Sequence, residues 1–221
     1  MSATPKSRDE VAAAYASPTW WYDVRGFFIL TFAYRSTLPQ QLRLFGGNLS
    51  ARHLEIAIGS GTLFELILRW RRLHRLPRVQ VTGVDYAESM LAGARKRFAG
   101  DASIQLMHAD AAALPFEDAT FDSANIANAV HCLPDVDAAL RETFRVLKPG
   151  GTLAANVLLF PSGPAPLRTI AQRLNDWGMR KGILVTPYRA EDVRRRLTSA
   201  GFVIRTERIR GNTLDVLAAK A

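Results

Sequence analysis

The sequence predicts an α/β protein whose open, mostly parallel sheet carries helices on both faces. From about residue 52 onward, apolar strand-like runs alternate with segments whose apolar residues recur at helical spacing. Gly59 and Gly61 fall between the first such strand and the first such helix, where the chain must bend sharply or admit a ligand close to its backbone. A chain of 221 residues, 48% hydrophobic and 22% charged, is long enough for one domain with a sizeable core.

The elements follow in order. HLEIAI reads as a buried strand and LFELILRWRRLH as the amphipathic helix after it. VQVTGVD and AESMLAGARKRF repeat the strand–helix unit, SIQLMHAD is a third strand, and FDSANIANA is a fourth, weakened by its alanines and asparagines. In DVDAALRETFRVL, Val136, Leu140, Phe144 and Leu147 share one helical face; Pro149-Gly150-Gly151 is expected to stop that helix, with Lys148 against the negative end of its dipole. TLAANVLLF is a fifth strand, AEDVRRRLTSAGFVIRTERI a helix and strand, and NTLDVLAAK closes the chain. In such a sheet ligands bind beyond the carboxyl ends of the strands, at the point where strand order reverses. The first strand normally borders that point, which places GSGT at the expected site.

Residues 1–50, rich in aromatics, and 161–188, opening with PSGPAP and holding the short helix LRTIAQRLNDWGM, lie outside the alternation. Both suit lids over the carboxyl edge of the sheet, or plain packed appendages. The expected division of this single domain is an N-terminal helical lid (1–50), a core (51–160), a lid insertion (161–188) and a closing helix and strand pair (189–221).

The net charge of +9 is concentrated partly in RWRRLHRLPR (Arg69, Arg71, Arg72, Arg75, Arg78) and in Arg194-Arg195-Arg196. This balance admits anionic partners, including nucleic acid, or simply solvated helix faces. One cysteine, Cys132, permits no intrachain disulfide, so a cytoplasmic setting is the expectation. The polar opening MSATPKSRDE lacks the apolar core of a secretory signal, and no apolar run reaches the roughly twenty residues of a membrane span. His53, His74, His108 and His131 are scattered without metal-ligand spacing, so no metal site is expected.

At the glycine turn, a dinucleotide-binding loop would carry a third glycine where Phe64 stands, and a phosphate-cradling loop would need a lysine beside Ser or Thr. The remaining pattern is an acid in the first strand followed by small residues at alternate positions: Glu55, Ala57, Gly59, Gly61. Here the sequence resembles the class I S-adenosylmethionine-dependent methyltransferases, whose first motif runs acid-x-Gly-x-Gly-x-Gly; Ala57 departs from the first glycine. GVDYAESMLAGARKR, HADAAALPFEDATFDSANIANAVHCLPD and RETFRVLKPGGTLAAN resemble the later motifs in order, with Cys132 at the second position of a His-His pair. The resemblance covers residues 50–160 closely and 189–221 more loosely. Its wording is similar to the branch holding ubiquinone and menaquinone C-methyltransferases and many natural-product methyltransferases.

That resemblance implies a Rossmann-like, seven-stranded, mostly parallel sheet with an antiparallel last strand and an N-terminal helical aromatic lid. It implies S-adenosylmethionine as cofactor, S-adenosylhomocysteine as product, and no metal. Carried onto this chain, Glu55, Ala57, Gly59, Ser60 and Gly61 lie around the methionine end, and Asp85 accepts from the ribose hydroxyls. Tyr86 and Met90 lie near the adenine, Asp110 and Ala111 receive its amino group and ring nitrogen, and Ile126 and Ala127 lie beneath the methionine. Asp85 alone could instead cap a helix, and Asp110 could serve its own loop. His131 is a candidate general base, or a packing histidine. Trp20, Trp21 and Tyr22 are candidate acceptor-site walls, or core.

The expected activity is methyl transfer to a small, aromatic or apolar molecule by metal-independent in-line displacement, in which alignment and water exclusion do most of the work. Alternatives are an RNA methyltransferase, a binding module holding the cofactor or its product without turnover, and an interaction protein on the same scaffold. No Asn-Pro-Pro-Tyr or Asp-Pro-Pro-Tyr motif is present for exocyclic amine chemistry.

Overall fold

The computed structural model describes residues 36–181 and 184–221. Trp20, Trp21 and Tyr22, with the expected N-terminal lid before residue 36, lie outside the described residues. Helix α1 (Leu38–Asn48) leads into β1 (Arg52–Ile56), α2 (Thr62–Leu73), β2 (Gln80–Asp85), α3 (Glu88–Arg97) and β3 (Ile104–His108). There follow β4 (Phe121–Ile126), a short 3-10 turn (Val130–Cys132), α4 (Val136–Val146), β5 (Leu147–Leu158), α5 (Ala165–Arg180), α6 (Ala190–Ser199), β6 (Phe202–Arg210) and β7 (Thr213–Lys220).

The seven strands form one sheet in the order β3-β2-β1-β4-β5-β7-β6. β7 runs antiparallel to both β5 and β6, and the neighbouring pairs from β3 to β5 are parallel. This is the Rossmann-like, seven-stranded architecture that the resemblance implies, with strand order reversing between β1 and β4. One face packs Leu54, Ile56, Val84 and Ile126 with Val136 and Leu140 of α4 and Val193 and Leu197 of α6. The other face packs Val81 and Ala154 with Phe45 of α1, Phe64 and Ile67 of α2 and Leu91 of α3. Burial on both faces explains why the parallel strands read as continuous apolar runs.

Local chemistry sets the helix ends. Thr37 and Gln40 form a capping box at α1, and the Asp135 side chain accepts from Ala138 N–H at 2.9 Å to start α4. α4 ends at Val146, before the Pro-Gly-Gly stretch expected to stop it. Leu147 already pairs with Phe121 of β4, whereas Thr152 pairs with Ser123, so Lys148 to Gly151 form an excursion within β5. Lys148 Nζ meets Asp122 Oδ1 at 2.7 Å, so its partner is this strand carboxylate. α5 is also longer than the short helix expected, because Pro164 ends the breaker-rich stretch and Pro166 is tolerated in the first turn.

Two sequence motifs prove to be one physical unit. Arg145 of α4 donates through Nη1 to Phe116 O (2.7 Å) and Asp118 Oδ1 (2.8 Å), and through Nη2 to Leu114 O (2.9 Å). Glu142 Oε2 accepts Leu114 N–H at 2.8 Å. The α4 pair therefore holds the loop LPFED in place, and the neighbouring carboxylates push the Arg145 pKa above its usual value.

Candidate active site

The site begins at the carboxyl end of β1. Gly59 (φ 60) and Gly61 (φ 78) take left-handed conformations, and so does Ala57 (φ 57), a region an L-residue enters at a cost. The two glycines answer different needs. A Cβ on Gly59 would meet no described residue within 4 Å, so among the described residues its surface is open to a ligand. A Cβ on Gly61 would lie 2.5 Å from the Phe98 ring, so this glycine serves the packing of α2 on the end of α3.

Asp85, the last residue of β2, turns its carboxylate onto this loop. Oδ2 accepts Gly59 N–H at 2.7 Å, and Oδ1 accepts Ala87 N–H at 2.8 Å. Each carboxylate oxygen retains acceptor capacity for a further donor. Burial pushes the Asp85 pKa up, and the backbone donors at Ala87 and Gly59 partly oppose that rise. Arg97 of α3 braces the loop from behind: Nε donates to Ser60 O (3.0 Å), Nη2 to Thr62 Oγ1 (2.8 Å) and Nη1 to Glu65 Oε2 (2.5 Å).

Beside Asp85, the Tyr86 ring lies against the His108 ring, centroids 5.3 Å apart, and His108 Nε2 contacts Tyr86 O at 2.8 Å. Met90 is buried in the first turn of α3. Asp110 Oδ1 accepts Ala112 N–H at 2.9 Å, closing its own loop, and Ala111 packs on the main core. Ile126 ends β4 inside that core, whereas Ala127 packs against the opposite face.

Glu55 is 3% exposed, and its Oε2 receives Asn125 Nδ2 (3.0 Å) and contacts His53 Nε2 (3.1 Å). Past β4, Asn128 (φ 55) donates its N–H to Asn156 Oδ1 (2.6 Å) and its amide to Gln41 Oε1 (2.9 Å). Asn156 returns a bond to Asn128 Oδ1 at 2.5 Å, and Gln41 donates to Ser36 Oγ at 2.9 Å. This polar chain ties α1 across the strand ends. His53, Asn125, Asn128, Asn156, Gln41 and Arg97 were not singled out by sequence reasoning. Only the asparagines in FDSANIANA gave a signal, as polar residues inside a buried strand.

His131 sits in the 3-10 turn after β4 and is 5% exposed. Burial pushes its pKa down to about 4. Leu158 N–H points at its Nδ1 at 3.4 Å, and Val185 N–H donates to its carbonyl at 3.0 Å, joining the turn to β5 and to the segment after α5. On α5, Asn175 is 1% exposed, and among the described residues neither atom of its amide has a hydrogen-bond partner.

The residues described from the two basic clusters, Arg72, Arg75 and Arg78 and Arg194 to Arg196, do not converge on this site. Arg194, Arg195 and Arg196 pair with Glu207, Asp192 and Asp137. Arg72, Arg75 and Arg78 are exposed in and after the end of α2, near the start of β2 and opposite the edge that carries the glycine turn. Arg71 turns inward to Gly46 O and Pro77 O. Among the described residues no group of three His, Cys, Asp or Glu side chains could hold a metal ion, and no helix is long and apolar enough to cross a membrane.

Residues 54–155 match the family described as "Methyltransferase domain". The segment from β1 into β5, with its glycine turn and strand-end acids, is thus similar to methyltransferase domains. The chain is 42% identical over 114 residues to a demethylmenaquinone methyltransferase of Thermus thermophilus, covering 51% of this chain and 49% of that protein. It is 41% identical over 99 residues to the ubiquinone/menaquinone biosynthesis C-methyltransferase UbiE of Desulfotalea psychrophila, covering 44% of this chain and 37% of that protein. The chain thus spans half or less of the length of these relatives. An S-adenosylmethionine-dependent methyltransferase from Thermotoga maritima has the same fold, with TM-score 0.65 and 18% identity over 92% of this chain and 99% of that one.

Proposed function

We propose that the protein transfers a methyl group from S-adenosylmethionine to a small aromatic or apolar acceptor without a metal, and that quinol-type rings are the first acceptor class to test. The observation that carries this reading is the pairing of Asp85 with the open turn at Gly59, at the strand-order reversal of a methyltransferase domain. The quinol class comes from the relatives, whose names concern menaquinone and ubiquinone.

The residues fit such a cofactor. Gly59 leaves open space over the backbone, Asp85 keeps acceptor capacity suited to a ribose diol, and both described partners of Glu55 fall on Oε2, leaving Oε1 for an ammonium group. Tyr86, Met90, Asp110 and Ala111 then flank the adenine, with Ser60, Ala57 and Ala127 around the methionine, while Gly61 and Ile126 support the turn and strand end from the packed side. The bound cofactor supplies a methyl carbon made electrophilic by its sulfonium charge. The chain's work is to hold donor and acceptor in line and to keep water out. Residues 161–188 act as the acceptor lid; the unpartnered Asn175 amide supports this, since a buried amide without a partner costs free energy that a ligand can relieve. His131, neutral at pH 7 with its pKa near 4, is a weak base and acts as a brace joining β4, β5 and the lid segment.

The test is calorimetric titration with S-adenosylmethionine and S-adenosylhomocysteine, followed by an acceptor screen on phenols and reduced naphthoquinones. Binding of both with transfer of labelled methyl is the expected result. Binding of neither, or unchanged affinity in Asp85→Ala, refutes the site; binding without turnover on any acceptor favours a cofactor-holding module.

A further inference from the structure

We infer that His53 is a positioning residue for the cofactor's amino-acid end: its Nε2–H holds the Glu55 carboxylate in the orientation that meets the ammonium group. This rests on the reading above that Glu55 faces that group.

The inference follows from a hydrogen-bond chain in which every donor can be assigned. His53 and Glu55 lie two residues apart on one face of β1, and their register partners on β4 are Ser123 and Asn125. Ser50 N–H donates to Ser123 Oγ at 2.9 Å, so the Ser123 hydroxyl proton is free for His53 Nδ1 at 2.8 Å. His53 Nε2 lies 3.1 Å from Glu55 Oε2. A carboxylate accepts, so Nε2 carries a proton whether the ring is neutral or charged. The same oxygen accepts Asn125 Nδ2 at 3.0 Å, and Asn48 fixes that amide by donating to Asn125 Oδ1 at 3.0 Å. Thr152 Oγ1 donates to Asn48 Oδ1 at 2.6 Å and closes the chain at α1 and β5.

His53, Ser123 and Asn125 are 0% exposed. The Ser123–His53–Glu55 order has the residue types of a nucleophilic relay, but a sealed hydroxyl that already accepts Ser50 N–H meets no substrate. Its work is positional: His53 and Asn125 place two hydrogen bonds on one oxygen of Glu55. Two donors on Oε2 also fix the side chain about its terminal torsion, which determines where Oε1 points.

The test uses two ligands on the full chain: S-adenosylhomocysteine, and 5′-methylthioadenosine, which keeps the adenosine and sulfur but lacks the amino-acid end. His53→Phe retains a ring to stack on Phe64, which now lies parallel to His53 with centroids 6.3 Å apart, and deletes both nitrogens. Loss of a hydrogen bond to a charged group predicts about tenfold weaker binding of S-adenosylhomocysteine. Binding of methylthioadenosine is expected to change less than about twofold, since it makes no contact with Glu55. His53→Gln, which can return an amide donor near the Nε2 position, is expected to recover most of the loss. Equal weakening of both ligands assigns His53 a purely structural role and overturns the inference. So does unchanged S-adenosylhomocysteine affinity in His53→Phe while Glu55→Gln weakens it. If Glu55→Gln itself leaves that affinity unchanged, the placement of Glu55 at the ammonium group falls, and the His53 role with it. Should His53→Phe not fold, Ser123→Ala removes the donor that keeps Nδ1 an acceptor; a selective loss of about threefold is then expected, and no loss overturns the role.

Discussion

Acid should destabilise this protein through His131, by an amount the structure sets. In the unfolded chain the imidazole titrates near 6.5, and in the folded protein burial lowers that value to about 4. The unfolded state therefore takes up the proton first. The stability tied to neutral His131 is fully present above about pH 6.5 and is lost as pH falls toward 4. The gap is worth about 3 kcal/mol at saturation, of which about 2.5 kcal/mol is spent between about pH 7.5 and pH 4.5. His131→Asn isolates this contribution, because an amide can still accept Leu158 N–H but does not titrate. Urea denaturation of both proteins across that pH range is the assay. The variant starts less stable because its smaller side chain leaves space beside β5. The difference between the two proteins should then shrink by about 2.5 kcal/mol on acidification. Parallel stability curves would show that His131 titrates alike in both states and would refute the reasoning.

Three further outcomes are expected. Gly61→Ala, driven into the Phe98 ring at positive φ, should cost about 2 kcal/mol or more in thermal or chemical melts; Gly59→Ala should cost only about 1 kcal/mol yet weaken S-adenosylhomocysteine binding, and the reverse pattern would reverse the roles given to the two glycines. Ala57→Gly should raise stability by a few tenths to about 1 kcal/mol, since relief of the left-handed strain outweighs the added freedom of the unfolded chain; destabilisation in urea melts would contradict it. Because Asp85 has a raised pKa, protonation reaches it early on acidification and removes the acceptor form; calorimetry should show S-adenosylhomocysteine affinity falling as pH drops through the acid range, and the same fall in Asp85→Asn would remove Asp85 as its cause.

The strands and helices from β1 to β7 were legible because each is encoded locally, by apolar periodicity and by its flanking turn residues. The seven-strand order and the antiparallel β7 came from the family resemblance, since pairing of β5 with β7 depends on residues some sixty positions apart in the chain. The helix-stopping role expected of Pro149-Gly150-Gly151 was misplaced because β4 competes for Leu147: its backbone pairs with Phe121 before the breaker residues are reached. Asp85 and Gly59 were legible as motif residues; that each binds the other was not. Gly61 was grouped with Gly59 by spacing, although its neighbour is an aromatic ring from the end of the next helix.

The glycine turn and the acids at the strand ends follow from the sequence alone, because they lie in contiguous motifs whose local conformation follows from residue type. Tertiary structure decided what those residues touch. His53 and Asn125 meet at Glu55, Arg97 braces the glycine loop, Arg145 holds LPFED, and burial sets the protonation of His131 and Asp85. A hydrogen bond or a desolvation cost depends on which distant segments come together, and only the closed sheet brings them there.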